Sequence, residues 1–328
     1  MKRLASGMIA LIMCITLIAG GAAAAETKTI SVVTTIFPVY DWLREIVGET
    51  SGAEITMLLD TGVDLHSYQP TAQDIMKIAN ADAFVYVGGE SDEWVEDALS
   101  EAVNPEMVVV DLMETLGADV KEEEIVEGME AEEEEEGEEG EEEEGPEYDE
   151  HVWLSLRNAQ KLVTALAEAL GEADPAHADA YSTNASAYNA KLAALDDAYT
   201  QMTGEAARDT VLFGDRFPFR YLTDDYGLNY YAAFVGCSAE SEASFKTIAF
   251  QAGKVDELGL NAVLTIEGAN HRIAETVVAA SQAKDAAVLT LDSLQSATAE
   301  DVRQGKTYLG AMEANLEVLR EALNGGVD

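Results

Sequence analysis

Positive charge is scarce in this chain of 328 residues: 19 Lys and Arg stand against 63 Asp and Glu, a formal net charge of −44. That balance argues against nucleic acid and against an anionic membrane surface as partners, and it favours cations. Cysteine is almost missing, with Cys14 and Cys237 alone. Histidine occurs four times, and no His-Glu-x-x-His or clustered His/Asp run is present. A secreted metallohydrolase, which needs an open metal position and a general base, is therefore the remote alternative. The apolar run near the N-terminus, Met8 to Ala19, is short for a membrane span. Lys2 and Arg3 before it and the small residues 20–25 after it mark residues 1–25 as a secretory signal, so the mature chain is expected outside the cytoplasmic membrane. Its one remaining thiol, Cys237, can form no intramolecular disulfide. A lipid anchor at Cys14 is the alternative end for the segment, although Ile12 and Met13 precede the cysteine where a processing site wants small residues.

Apolar residues make up 48% of the chain, ample for a core, and the length suits two domains or one large one. β-Branched and apolar runs at Thr29–Thr35, Ala53–Leu59, Ala83–Val87 and Met107–Leu112 read as strands, separated by helical stretches. The same alternation returns at Thr210–Phe213, Leu228–Phe234, Ala262–Ile266 and Ala287–Leu291. An α/β fold follows: two βα lobes, each with a parallel four-stranded sheet and right-handed crossovers. Between them Tyr181, Ala185, Tyr188, Leu192, Leu195, Tyr199 and Met202 recur at steps of four and three, one stripe along a single helix. Asp174-Pro175 is expected to open it, with Asp as N-cap and Pro at the first helical position. The expected organisation is an N-terminal lobe over 26–173, a linking helix over 174–203 and a C-terminal lobe over 204–328.

Residues 121–150 hold 19 Asp and Glu with one Lys. Like charges at that density cannot bury apolar surface, so 121–147 is expected to be a disordered Glu-rich loop. It ends just before Asp149-Glu150-His151-Val152-Trp153-Leu154-Ser155, in which Ser155 can cap a helix and the apolar triplet can fix the backbone.

In open parallel sheets, ligands bind beyond the carboxyl ends of the strands. Those ends present His66 and His151 in the first lobe, and Asp215, Cys237, Glu240, Glu267 and Asp292 in the second. Each has a plain structural alternative. Asp292 and Glu267 can cap, Asp215 can pair with Arg216, and a lone cysteine can be a small buried side chain. His177 and His271 read as surface residues.

The chain resembles the metal-binding proteins of bacterial zinc and manganese ABC importers, the cluster whose lobes are joined by a long rigid helix. The resemblance rests on Thr35-Ile-Phe-Pro-Val-Tyr, on Gly62-Val-Asp-Leu-His-Ser-Tyr-Gln-Pro (where the family usually has Asp-Pro-His), on Val87-Gly-Gly-Glu and on Asp149-Glu-His-Val-Trp-Leu-Ser. Tyr226-Gly-Leu, Ser238-Ala-Glu-Ser-Glu and Leu291-Asp-Ser-Leu extend it into the second lobe. It implies His66 and His151 as first-lobe metal ligands and Asp292 as the carboxylate from the last loop. The family's usual His or Glu after the fifth strand falls on Gly214, which leaves Asp215 or Glu240 as substitutes. It further implies a monomeric solute-binding protein, not an enzyme, that captures Zn2+ ahead of Mn2+ and passes it to a membrane permease. A surface adhesin or a metal buffer, with the glutamate run as its active part, is the competing reading.

Overall fold

The computed structural model describes residues 29–50, 52–130, 147–238, 242–268, 270–282 and 284–325. Residues 1–25, expected to be a secretory signal, lie outside them. No helix among the described residues is long and apolar enough to cross a membrane.

The first lobe is built on β1 (Ile30–Thr34), β2 (Ala53–Met57), β3 (Ala83–Tyr86) and β4 (Val108–Asp111), all parallel in the order β2-β1-β3-β4. Central β1 reads Ile-Ser-Val-Val-Thr and is buried at four of five positions, as a strand covered on both faces must be. The covering helices are α1 (Phe37–Val47), α2 (Ala72–Ala79), α3 (Trp94–Ser100), α4 (Leu112–Leu116) and α5 (Leu156–Ala173). Pro38 sits in the first turn of α1, where its missing N–H costs nothing. Thr71 and Asp74 form a reciprocal capping box on α2, and Ser155 caps α5 by accepting from Asn158 N.

The second lobe repeats the plan with β5 (Thr210–Phe217), β6 (Asn229–Val235), β7 (Ala262–Ile266) and β8 (Ala287–Leu291), parallel in the order β6-β5-β7-β8. The linking helix α6 spans Ala178–Gly204, 27 residues or about 40 Å at 1.5 Å per residue. The seven residues of the expected stripe are its buried set. It packs on α1 and α5 on one side, and on α7 (Arg220–Tyr226) and the C-terminal α11 (Tyr308–Asn324) on the other. Between α7 and α11 lie α8 (Phe245–Leu258), α9 (Arg272–Ala280) and α10 (Ala299–Arg303). A second connection joins the lobes. The carboxylate of Asp41 in α1 accepts from Tyr308 N at 2.8 Å, capping α11 from the first lobe, and the rings of Trp42 and Tyr308 meet edge to face at 5.0 Å.

Two expectations need correction. The long helix does not start at Pro175. Asp174 turns its carboxylate to His177 Nδ1 (2.6 Å) and Tyr181 OH (2.7 Å), so a turn precedes the helix and His177 is half-buried rather than solvated. The Glu-rich segment is not irregular throughout either. Residues 121–130 form an ordered strap from the first lobe to the second. Asp149 N donates to Lys121 O, Glu123 N to Glu147 O and Glu130 N to Ala233 O, all at 2.9 Å. Arg220 and Tyr230 hold Glu124, and Ser244 N donates to Glu130 at 2.7 Å. Backbone pairing and second-lobe donors supply here what composition alone denies. Residues 131–146 lie outside the described part.

Candidate metal centre

His66 sits on a single helical turn, Leu65–Ser67, in the loop after β2. Asp64 caps that turn by accepting His66 N at 3.1 Å. The imidazole Nδ1 lies 2.8 Å from Ser91 Oγ and 3.4 Å from Glu150 Oε2, so oxygen atoms fix the ring from behind. Those contacts and the charge of His66 hold Glu150 below its usual range, although burial alone would push it up.

His151 is fully buried. Asp149 Oδ1 accepts from both its backbone N and its Nδ1, each at 2.9 Å. Burial opposes the charged form of His151, but the carboxylates of Asp149, Glu150 and Asp64 outweigh it and raise its pKa. Its turn, Val152–Leu154, is braced from the second lobe. Tyr221 OH donates to Asp149 O, Tyr308 OH donates to Trp153 O, and the Trp153 indole donates to Ser293 O.

With Nδ1 of each ring turned to oxygen, the Nε2 atoms face one another at 3.1 Å. A proton on either Nε2 makes this contact an N–H···N hydrogen bond; with both protons on Nδ1, the two lone pairs converge on a point where a cation can sit. Two nitrogens on a tetrahedral zinc, at about 2.0–2.1 Å each, lie roughly 3.3 Å apart, so the pair nearly spans one edge of such a site. Gln295 comes from the second lobe. With its amide nitrogen donating to Asp64 (3.1 and 3.2 Å), its oxygen lies 3.1 Å from His151 Nε2.

The structure thus brings His66 and His151 together, and the third potential donor beside them is Cys237. Their ligand atoms all lie within 4.8 Å of one another, the one such group of His, Cys, Asp and Glu among the described residues. In the sequence Cys237 is one of the strand-end candidates, either a soft donor for zinc or a small buried side chain, and a solitary cysteine carries no spacing signal to decide between them. The expected carboxylates are placed differently. Asp292 pairs with Lys306 Nζ at 2.6 Å and accepts from Leu294 N at 2.9 Å. Asp215 accepts from the N–H groups of Arg216 (2.9 Å) and Ile266 (3.2 Å) and faces a neighbouring cavity of about 380 Å3, and burial pushes its pKa up. Glu267 accepts from Ser293, Gln295 and Ser296 and so orders the last loop. Glu240 lies outside the described residues. At Gly214 no side chain fits, since a Cβ would stand 2.5 Å from Ala274 Cα in α9.

The family profile described as zinc-uptake complex component A, periplasmic, matches residues 32–322. The chain is 31% identical over 298 residues to the zinc-binding lipoprotein AdcA of Streptococcus pneumoniae, covering 89% of this chain and 55% of that protein. It spans about half the length of that relative. The crystal structure of the Zn(II)-bound ZnuA-like domain of the same lipoprotein superposes with a TM-score of 0.69 at 28% identity, over 90% of this chain and 100% of the domain. The high-affinity zinc uptake system protein ZnuA of Bacillus subtilis is 30% identical over 325 residues, 97% of each chain. The laminin-binding protein of Streptococcus agalactiae, described as bifunctional with adhesin and metal-transporting activity, gives a TM-score of 0.71 at 26% identity over 90% and 100% of the two chains. Two parallel sheets and a long helix linking them accord with this match, and the chain belongs to the family of periplasmic zinc-uptake complex component A.

Proposed function

We propose that this protein captures Zn2+ in preference to Mn2+ and delivers it to the permease of an ABC importer, acting as a monomer outside the cytoplasmic membrane. The observation that carries the reading is the 3.1 Å approach of His66 Nε2 to His151 Nε2, each ring steered by an oxygen on its other nitrogen. Imidazole nitrogen suits zinc better than the oxygen-rich sites that hold manganese. Two of the carboxylates read from the sequence for the second lobe do not support the pair in the present geometry: Asp292 would have to leave Lys306, and Asp215 its two backbone donors. The ion is cargo, so the site binds and releases without turning over a substrate. Metal content after purification, followed by Zn2+ and Mn2+ competition against a chromophoric chelator, tests the selectivity. Zinc accumulation in cells lacking the protein tests delivery. Equal affinity for both ions, or unchanged zinc uptake, would reject the corresponding half.

The adhesin reading rests on the described activity of the S. agalactiae relative. Binding to immobilised laminin that survives His66→Ala and His151→Ala would favour it.

A further inference from the structure

We infer that Cys237 is the second lobe's ligand to the captured ion, so that cargo is held by two imidazoles and a thiolate. The inference rests on the importer reading above and assigns the lobe-to-lobe donor that reading lacks.

Three observations point the thiol at the histidine pair. Cys237 Sγ belongs to the group whose donor atoms lie within 4.8 Å of one another. Gly236 then explains how the sulfur gets there. A Cβ at 236 would stand 2.9 Å from His151 Cε1 and 2.9 Å from Phe217 O, so only glycine lets the chain leaving β6 lie against the imidazole and present the next side chain to it. The loop is also held in place, because Arg216 Nη1 donates to Ser238 O at 3.2 Å while its Nη2 donates to Asp64 Oδ2, next to the His66 turn. One guanidinium therefore sets the spacing between the two loops that bear the donors.

The surroundings are not those of a cysteine used as a small apolar filler. The thiol lines a cavity of about 230 Å3 together with His66, Glu90, Glu123 and Glu150, a wall of carboxylates rather than aliphatic groups. His66 and His151 approach each other independently of the cysteine, which makes the sulfur an addition to an existing two-nitrogen site. Coordination replaces the S–H proton with the ion and releases that proton, one per ion bound. A soft thiolate beside two imidazoles selects zinc over manganese more strongly than a carboxylate in the same place would.

Co2+ titration of the full chain tests this, because a cobalt–thiolate bond adds a near-ultraviolet charge-transfer band to the visible d–d bands. The wild type is expected to show both. Cys237→Ser is expected to keep the d–d bands, lose the charge-transfer band and lower the Zn2+ to Mn2+ affinity ratio about tenfold or more. In the unsubstituted chain, bound Zn2+ is expected to protect Cys237 from alkylation by a maleimide, which covers the case of a variant that fails to fold. Cobalt d–d bands without a charge-transfer band in the wild type, or alkylation undiminished by zinc, would overturn the cysteine assignment and leave the importer reading standing. A chain that takes up neither cobalt nor zinc would overturn both.

Discussion

Arg216 Nη2 donates to Asp64 Oδ2 at 2.6 Å, an ion pair between β5 of the second lobe and the His66 loop of the first. The charge of Arg216 and its hydrogen bond hold Asp64 below the usual carboxylate range against the opposing effect of burial, so the pair stays ionised at neutral pH. Both side chains are about four-fifths buried, which lifts the pair above the exposed ion pairs that contribute little. Loss of an outer partner typically weakens a metal site about 10–100-fold. Arg216→Met and Asp64→Asn are each expected to weaken zinc binding by that order, and the double variant to add little to either. Chelator competition on the three proteins measures it. Additive losses would mean that the pair does not act as a unit.

Removing either histidine should cost more than removing an outer partner. His66→Ala and His151→Ala are each expected to weaken binding beyond about 100-fold, with the double variant close to the singles, since one donor cannot form the site. Calorimetric titration showing two independent, additive losses would indicate two separate ions.

Affinity should fall with pH, starting from above the ordinary imidazole value of about 6.5, because His151 has its pKa raised. The sign for the fold is the opposite. A raised histidine contributes stability that is fully present below the unfolded value and is lost as pH rises through the folded one. Acidification is therefore expected to expel the ion while the His151–Asp149 pair persists. Parallel chelator and thermal-melt measurements between pH 7.5 and 5.5 check both halves, and an affinity flat across that range would remove histidine from the site.

Deleting residues 131–146 leaves both ends of the ordered strap in place. Dense negative charge carried on one chain raises the local cation concentration around it, an effect that salt screens. The deletion is expected to slow zinc capture at low ionic strength, leave release nearly unchanged and matter little at high salt. Stopped-flow association across a salt series decides it. Equal on-rates at the lowest salt would make the run a plain linker.

Leu192 lies fully buried on the stripe of α6. Leu192→Ala removes its side chain from a packed interior, at about 2–5 kcal/mol. A single melting transition lowered by several degrees is expected, since α6 packs on both lobes. Two separated transitions would show that the lobes unfold independently.

Strand positions, the α6 stripe and the two histidines were legible because each follows from local periodicity or from a strand end. The rest depended on partners that no local pattern names. Asp174 was read as a cap, but His177 and Tyr181 take its carboxylate. Composition predicts a loop at 121–130, while the strap's second-lobe partners, such as Ala233, stand about a hundred residues away. β5 continues through Gly214 to Phe217 with a register shift, because the glycine lets α9 press against the strand. Cys237 acquires meaning only once Gly236 is seen against the His151 ring.

The cap that Asp41 provides for α11 joins residues 267 positions apart. A chain that emerges amino end first can assemble the first sheet long before Tyr308 exists. Until the last helix arrives, Asp41 has no N–H to accept, the Trp42 ring has lost its edge-to-face neighbour, and the Trp153 carbonyl lacks the Tyr308 hydroxyl. The first lobe is thus finished by a helix of the second lobe, α11. Contacts at that separation close slowly because loop entropy must be overcome before they form. A chain cut short before α11 would be left with an incomplete first lobe and an unbraced His151 turn, so its capacity to hold an ion ripens only once α11 has packed.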